Sequence, residues 1–161
     1  MKRLLLTAMT ALLLSVSAAW AGPFEDGVAA SERGDYATAL RIFHSLAAQG
    51  DAEAQFNLGV IYFDGKGVPQ DYSEAAKWFR LAATQGNADA QFNLGTMYAK
   101  GQGLVQSYVH AHLWFSLSSF SGNANAVSSR QLAAKRMTAQ QLEQARKLAR
   151  DCQQRKFKDC N

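Results

Sequence analysis

Proline is almost missing from this chain: two residues in 161. Proline removes a backbone donor and breaks helices, so its scarcity removes collagen-like and proline-rich architectures and leaves long helical stretches open. Cysteine is equally scarce. Two residues cannot build a four-cysteine zinc site or a disulfide-dense miniprotein. There are three histidines, and His110 and His112 stand two apart, about 200° around a helix, so they diverge and no metal site is expected. No G-x-S-x-G nucleophile turn occurs. The glycine pairs Gly65/Gly67 and Gly101/Gly103 lack the Lys-Ser/Thr of a phosphate loop. No pair of acids is placed for glycosidase chemistry. These absences predict a protein that is not an enzyme and has no catalytic residues, no metal and no cofactor.

What is abundant is alanine, 28 residues, within a composition that is 48% apolar and 19% charged. That is one domain's worth of material with a real core and high helix propensity. A net charge of +4 and 11% aromatic residues argue against disorder.

Residues 1–21 read as a secretory signal peptide. Lys2 and Arg3 precede an apolar run over 4–16, and Ala19-Trp20-Ala21 supplies a small-x-small cleavage site before Gly22. The run is about 13 residues, short of the roughly 20 that span a bilayer, so an uncleaved anchor is the weaker reading. Cleavage after Ala21 predicts a periplasmic or secreted protein with no membrane span. Charge is uneven along the remainder. Residues 22–129 carry six Lys/Arg against ten Asp/Glu, whereas 130–161 carry nine against three. Export disfavours nucleic acid as the partner of that basic tail.

A repeat of 36 residues organises the chain. Residues 54–89 and 90–125 align without a gap and share 18 of 36 positions. Asp35-Tyr36 stands one period before Asp71-Tyr72, so residues 22–53 read as a divergent earlier helix pair. Ala54, Leu58 and Tyr62 share one helical face. Gly65 then ends the helix, and Asp71 with Glu74 gives a capping-box spacing for the next. Ala75, Trp78, Phe79 and Ala82 stripe that second helix, and Trp114 occupies the position of Trp78 one period on. Gly59 and Gly95 sit inside the first helices, where glycine costs about 1 kcal/mol against alanine, which predicts a close neighbour at that point. Residues 126–161 read as capping helices. Thr138 and Gln141 open the last, and Leu142, Ala145, Leu148 and Ala149 form its apolar stripe.

The pattern A-x-x-x-L-G-x-x-Y-x-x-G-x-G-V followed by D-Y-x-x-A-x-x-W-x-x-x-A-A-x-x-G resembles the Sel-1-like repeat, a relative of the tetratricopeptide repeat. The second unit departs from it at Ser118 and Ser119, where two alanines are expected. The resemblance implies an all-α fold, an α/α solenoid in a right-handed superhelix with a C-terminal capping hairpin. It also implies a protein-interaction role and no catalysis.

Two surfaces then compete. Phe56, Val60 and Phe63 fall on the side of the first helix opposite Leu58, with Asn57 beside them, and Phe92, Asn93 and Thr96 are their equivalents. A helix apolar on both faces is sandwiched or presents one face to a ligand. In tetratricopeptide-like solenoids this face lines the concave groove and binds a protein or peptide; alternatively, Phe56 and Phe63 pack on the flanking repeat. Asn57 and Asn93 resemble groove asparagines that hold peptide termini in some such domains, and are also plain consensus residues. The second surface is basic: Arg146, Lys147, Arg150, Arg155, Lys156 and Lys158 would bind an anionic envelope polymer or membrane surface. In an exported protein Cys152 and Cys160, eight apart, read as one disulfide closing the tail; in a reducing cytosol they would be two free thiols.

Overall fold

The computed structural model describes residues 22–158 and 160, so the expected leader lies outside the described residues. Every regular element among them is an α-helix: α1 Pro23–Glu32, α2 Tyr36–Ala48, α3 Ala52–Asp64, α4 Tyr72–Ala83, α5 Ala88–Lys100, α6 Tyr108–Phe120, α7 Asn125–Ala134 and α8 Ala139–Gln154. The fold is all-α. None of these helices is long and apolar enough to cross a membrane.

The chain divides into two compact units after Ile42. In the first, proline stands in the opening turn of α1, and Ala30 and Ala39 are fully buried. Asp35 accepts a hydrogen bond from the Thr38 amide at 3.1 Å, satisfying a donor that the start of α2 leaves free.

In the second unit the caps recur with the repeat. Asp51 accepts from the Ala54 amide and Asn87 from the Ala90 amide, each at 2.8 Å. Asp71 and Ser107 do the same for α4 and α6. Glu74, expected to complete a capping box, instead reaches Lys77 at 2.7 Å. Thr138 and Gln141 do form the reciprocal box at the start of α8. Gly65 and Gly101 end α3 and α5 in the left-handed conformation, at φ 70° and 69°. The Asn87 side chain also bonds across the repeat: its Nδ2 donates to Glu53 at 2.8 Å, and Asn123 donates likewise to Asp89 one period on. These bonds tie each first helix to the residue that precedes the next.

The core of this unit forms where α3 packs on α4, α5 on α6, and α4 on α5. Phe79, Leu94, Met97, Leu113, Trp114 and Leu117 are among its large fully buried side chains, as are Phe43 and Leu58. Helix α6 also meets α7 and α8, which explains why it is buried around most of its circumference. Ser118, a departure from the repeat pattern, is fully buried, and its hydroxyl donates to the Ala88 carbonyl at 2.7 Å. The two equivalent tryptophans differ: Trp114 is fully buried, while Trp78 is half-buried with its ring edge-on to His44 at 5.5 Å.

The interior glycines have the predicted cause. A Cβ on Gly59 would stand 2.5 Å from the Phe79 ring, and one on Gly95 2.8 Å from Phe115. Gly59→Ala should therefore destabilise the protein by about 1–2 kcal/mol: overpacking costs up to about 3, and alanine's helix propensity returns about 1. Urea unfolding measures this. The shorter partner in Gly59→Ala/Phe79→Leu should recover part of the loss.

Candidate interaction surface

Gly59 sits between Phe56, three residues before it, and Phe63, four after, so these three share a helical face. Phe79 of α4 lies in the slot they make, 5.8 Å from Phe56 and 6.4 Å from Phe63. Phe63 also meets Tyr72 at 5.1 Å. Phe56, Val60 and Phe63 are thus half-buried and packed against the main core cluster, the two rings through Phe79 of their own repeat. In the next repeat Phe92 meets Phe115 at 5.5 Å over Gly95. Asn57 donates to the Glu53 carbonyl at 2.8 Å, and Thr96 to the Phe92 carbonyl at 3.1 Å; Asn93 is half-buried.

The second copy of the face differs at two positions, Thr96 for Val60 and Ala99 for Phe63, and the second changes its shape. Ala99 stands where Phe63 stands in the first copy, and the space is left open. A groove of about 520 Å³ occupies it, lined by Thr96 and Ala99 of α5, Tyr108 and Phe115 of α6, and Leu132 and Ala133 of α7. Leu132 is 62% exposed. Lys100, Lys135 and Arg136 also border the groove. Of the predicted residues only Thr96 lines it. Leu132 belongs to a segment read from sequence only as a cap, and that it lines one groove with Ala99 is visible only once the helices have packed.

The basic segment is partly self-neutralised. Lys147 pairs with Asp151 at 2.7 Å and Arg150 with Glu143 at 3.2 Å, while Arg155 Nε donates to the Asp151 carbonyl. Lys156 and Lys158 are exposed. Beyond α8 the chain turns back, and Phe157 packs against the core with its ring beside Gly86. Cys152 and Cys160 are both buried and lie at disulfide distance, with Cα atoms 5.1 Å apart.

The histidines occupy three separate environments. His44 is exposed. His110 stacks on Tyr98 at 5.0 Å, and burial, then Arg80, hold its pKa below the usual value. His112 is 5% exposed, and burial, then Arg130 and Arg146, push its pKa down to about 4. Among the described residues no group of three or more metal-ligating side chains comes together. His112 gives the fold a pH dependence. Unfolded, the ring takes up a proton near pH 6.5; folded, only near 4. The unfolded state binds more protons between those values, so stability should fall on the order of 2 kcal/mol as pH drops from 7 to 4. Urea midpoints across that range should lose this slope in His112→Gln.

Helix pairs of 36-residue period, bounded by left-handed glycines and cross-tied by asparagines, define an α/α solenoid repeat protein. The Sel1 repeat model matches residues 18–51, 52–87 and 88–119, and the chain belongs to the Sel1 repeat family. A protective antigen of uropathogenic Escherichia coli strains, displaying an SLR fold, is 34% identical with a TM-score of 0.79 over 86% of this chain. A Sel1 repeat protein from Oxalobacter formigenes is 32% identical with a TM-score of 0.64 over 66% of it. The matches span 30% and 44% of those two chains. No curated protein matches the sequence. Proteins of this fold are generally non-catalytic interaction modules.

Proposed function

We propose that this protein is a non-enzymatic scaffold of the bacterial envelope that holds a protein or peptide partner along the α5–α6–α7 groove. The carrying observation is the groove left open by Ala99, with Leu132 exposed beside it. An apolar floor bordered by Lys100, Lys135 and Arg136 suits an apolar segment flanked by acidic residues. The predicted face continues into it through Phe92 and Thr96, while Phe56, Val60 and Phe63 serve as the packed wall of the first repeat. Asn57 and Asn93 remain on the proposed face.

Photo-crosslinkers at Thr96 and at Leu132 should capture the same polypeptide from the native envelope, and a crosslinker at Lys147 should not. Leu132→Asp should weaken binding of that polypeptide about tenfold with little change in melting temperature, because the side chain is largely exposed. Capture equal at all three positions would end the groove reading. Export rests on the leader pattern and on two cysteines brought to disulfide distance. N-terminal sequencing of the envelope form should begin near Gly22; a chain still beginning at Met1 would refute cleavage.

A further inference from the structure

A second cavity, of about 580 Å³, is lined by α6, α7 and α8. It gathers His112, Ser116 and Phe120 from α6, Arg130 from α7, and Leu142 and Arg146 from α8. Among the described residues no carboxylate pairs with Arg130 or Arg146, whereas Glu143 holds the nearby Arg150 and Asp151 holds Lys147. Two guanidiniums without counter-charges therefore share one concavity, and their combined field reaches the buried His112 ring. Leu117, Ala134 and Ala149 add apolar wall beside Phe120, which is 66% exposed, while Ser119, Gln131, Gln153 and the Glu143-paired Arg150 make up the polar remainder.

We propose that this cavity binds a carboxylate carried on a short apolar chain, Arg130 and Arg146 taking the carboxylate and Phe120 and Leu142 the chain. A guanidinium fork matches a carboxylate through two parallel hydrogen bonds, which a spherical cation cannot do. The volume falls in the range of small-ligand pockets, roughly 300–1,000 Å³. Two sources carry this chemistry: the C-terminus of a peptide ending in an apolar residue, and a free medium-chain acid. The site shares no residue with the α5–α6–α7 groove, so either reading can fail alone.

The test is calorimetry on the full chain with four probes: N-acetyl-Ala-Ala-Leu as the free acid, the same peptide as its amide, octanoate, and inorganic phosphate. The free-acid peptide, octanoate or both should bind, and the one that binds names the source. The amide should bind at least about tenfold more weakly than the free acid, or not at all. Arg130→Gln and Arg146→Gln should each cost about tenfold, and Lys147→Gln should change affinity by less than about twofold. Melting curves confirm that each variant folds. An NMR titration adds an independent readout in the unmutated protein. The charges acting on His112 come from Arg130 on α7 and Arg146 on α8, and Arg150, paired with Glu143, lines the same cavity. An anion seated between the two cations favours the imidazolium, so saturation with the bound probe should raise the His112 pKa by about one unit. The proposal is overturned if neither carboxylate binds, if amide or phosphate binds as tightly as the acid, if the arginine variants keep full affinity, or if the His112 titration does not move.

Discussion

Trp114→Ala should cost roughly 3–5 kcal/mol in equilibrium unfolding, the largest loss expected from any single change considered for this protein. The indole is fully buried in the main cluster with Leu113, Leu117 and Cys152. Removing it leaves a cavity that α6, held on several sides by α5, α7 and α8, cannot collapse to fill. The indole N–H has no acceptor among the described residues, so it adds no hydrogen bond to the account. Trp114→Phe should accordingly recover most of the loss. Trp78→Ala tests the contrast. The ring is half-buried against His44, and its truncation should cost about half as much or less. Equal losses at the two sites would mean that repeat position, rather than enclosure, sets the energetics.

The second large effect concerns the tail. If Cys152 and Cys160 are bonded in the native protein, removing the link in Cys152→Ala/Cys160→Ala should cost roughly 2–3 kcal/mol by the loop-entropy account. The tail has reason to need a tether. Lys156 and Phe157 both lie in the left-handed region, at φ 52° and 65°, where side-chain-bearing residues are disfavoured. Phe157 must nonetheless reach the core beside Gly86. Thiol counting on the unreduced native protein, followed by urea unfolding with and without reductant, measures both parts. Two free thiols in the native protein would refute the bond.

Much of the fold is legible in the chain because its signals are local. The 36-residue period, Gly65 and Gly101 at helix ends, Asp71 and Thr138 at helix starts, and the alanine-rich stripes each act through residues within a few positions of one another. Gly59 is a partial exception: its recurrence announces a close contact, and Phe79 as that contact belongs to tertiary packing. The proposed binding surface was far less legible. A helical wheel sets Phe56 and Phe63 opposite Leu58, yet Gly59 between them opens a slot on that same face in which they meet Phe79.

Sequence alone determined the helix pairs, their period, their caps and the family to which they belong, because backbone hydrogen bonding and helical periodicity are short-range. Tertiary structure decided which of two equivalent side chains is enclosed and which space stays open. Gln55 and Gln91 illustrate the division. Each donates to the carbonyl of an alanine eight residues back. Gln55 also accepts from Gln85, whereas the buried Gln91 Oε1 has no partner among the described residues, because Ser121 stands where a second such glutamine would be. Ala99 opens a groove where Phe63 closes one, and Arg130 and Arg146, sixteen positions apart on different helices, line one cavity. Burial and electrostatic coupling depend on distances between elements, and those distances exist only after the helices have packed.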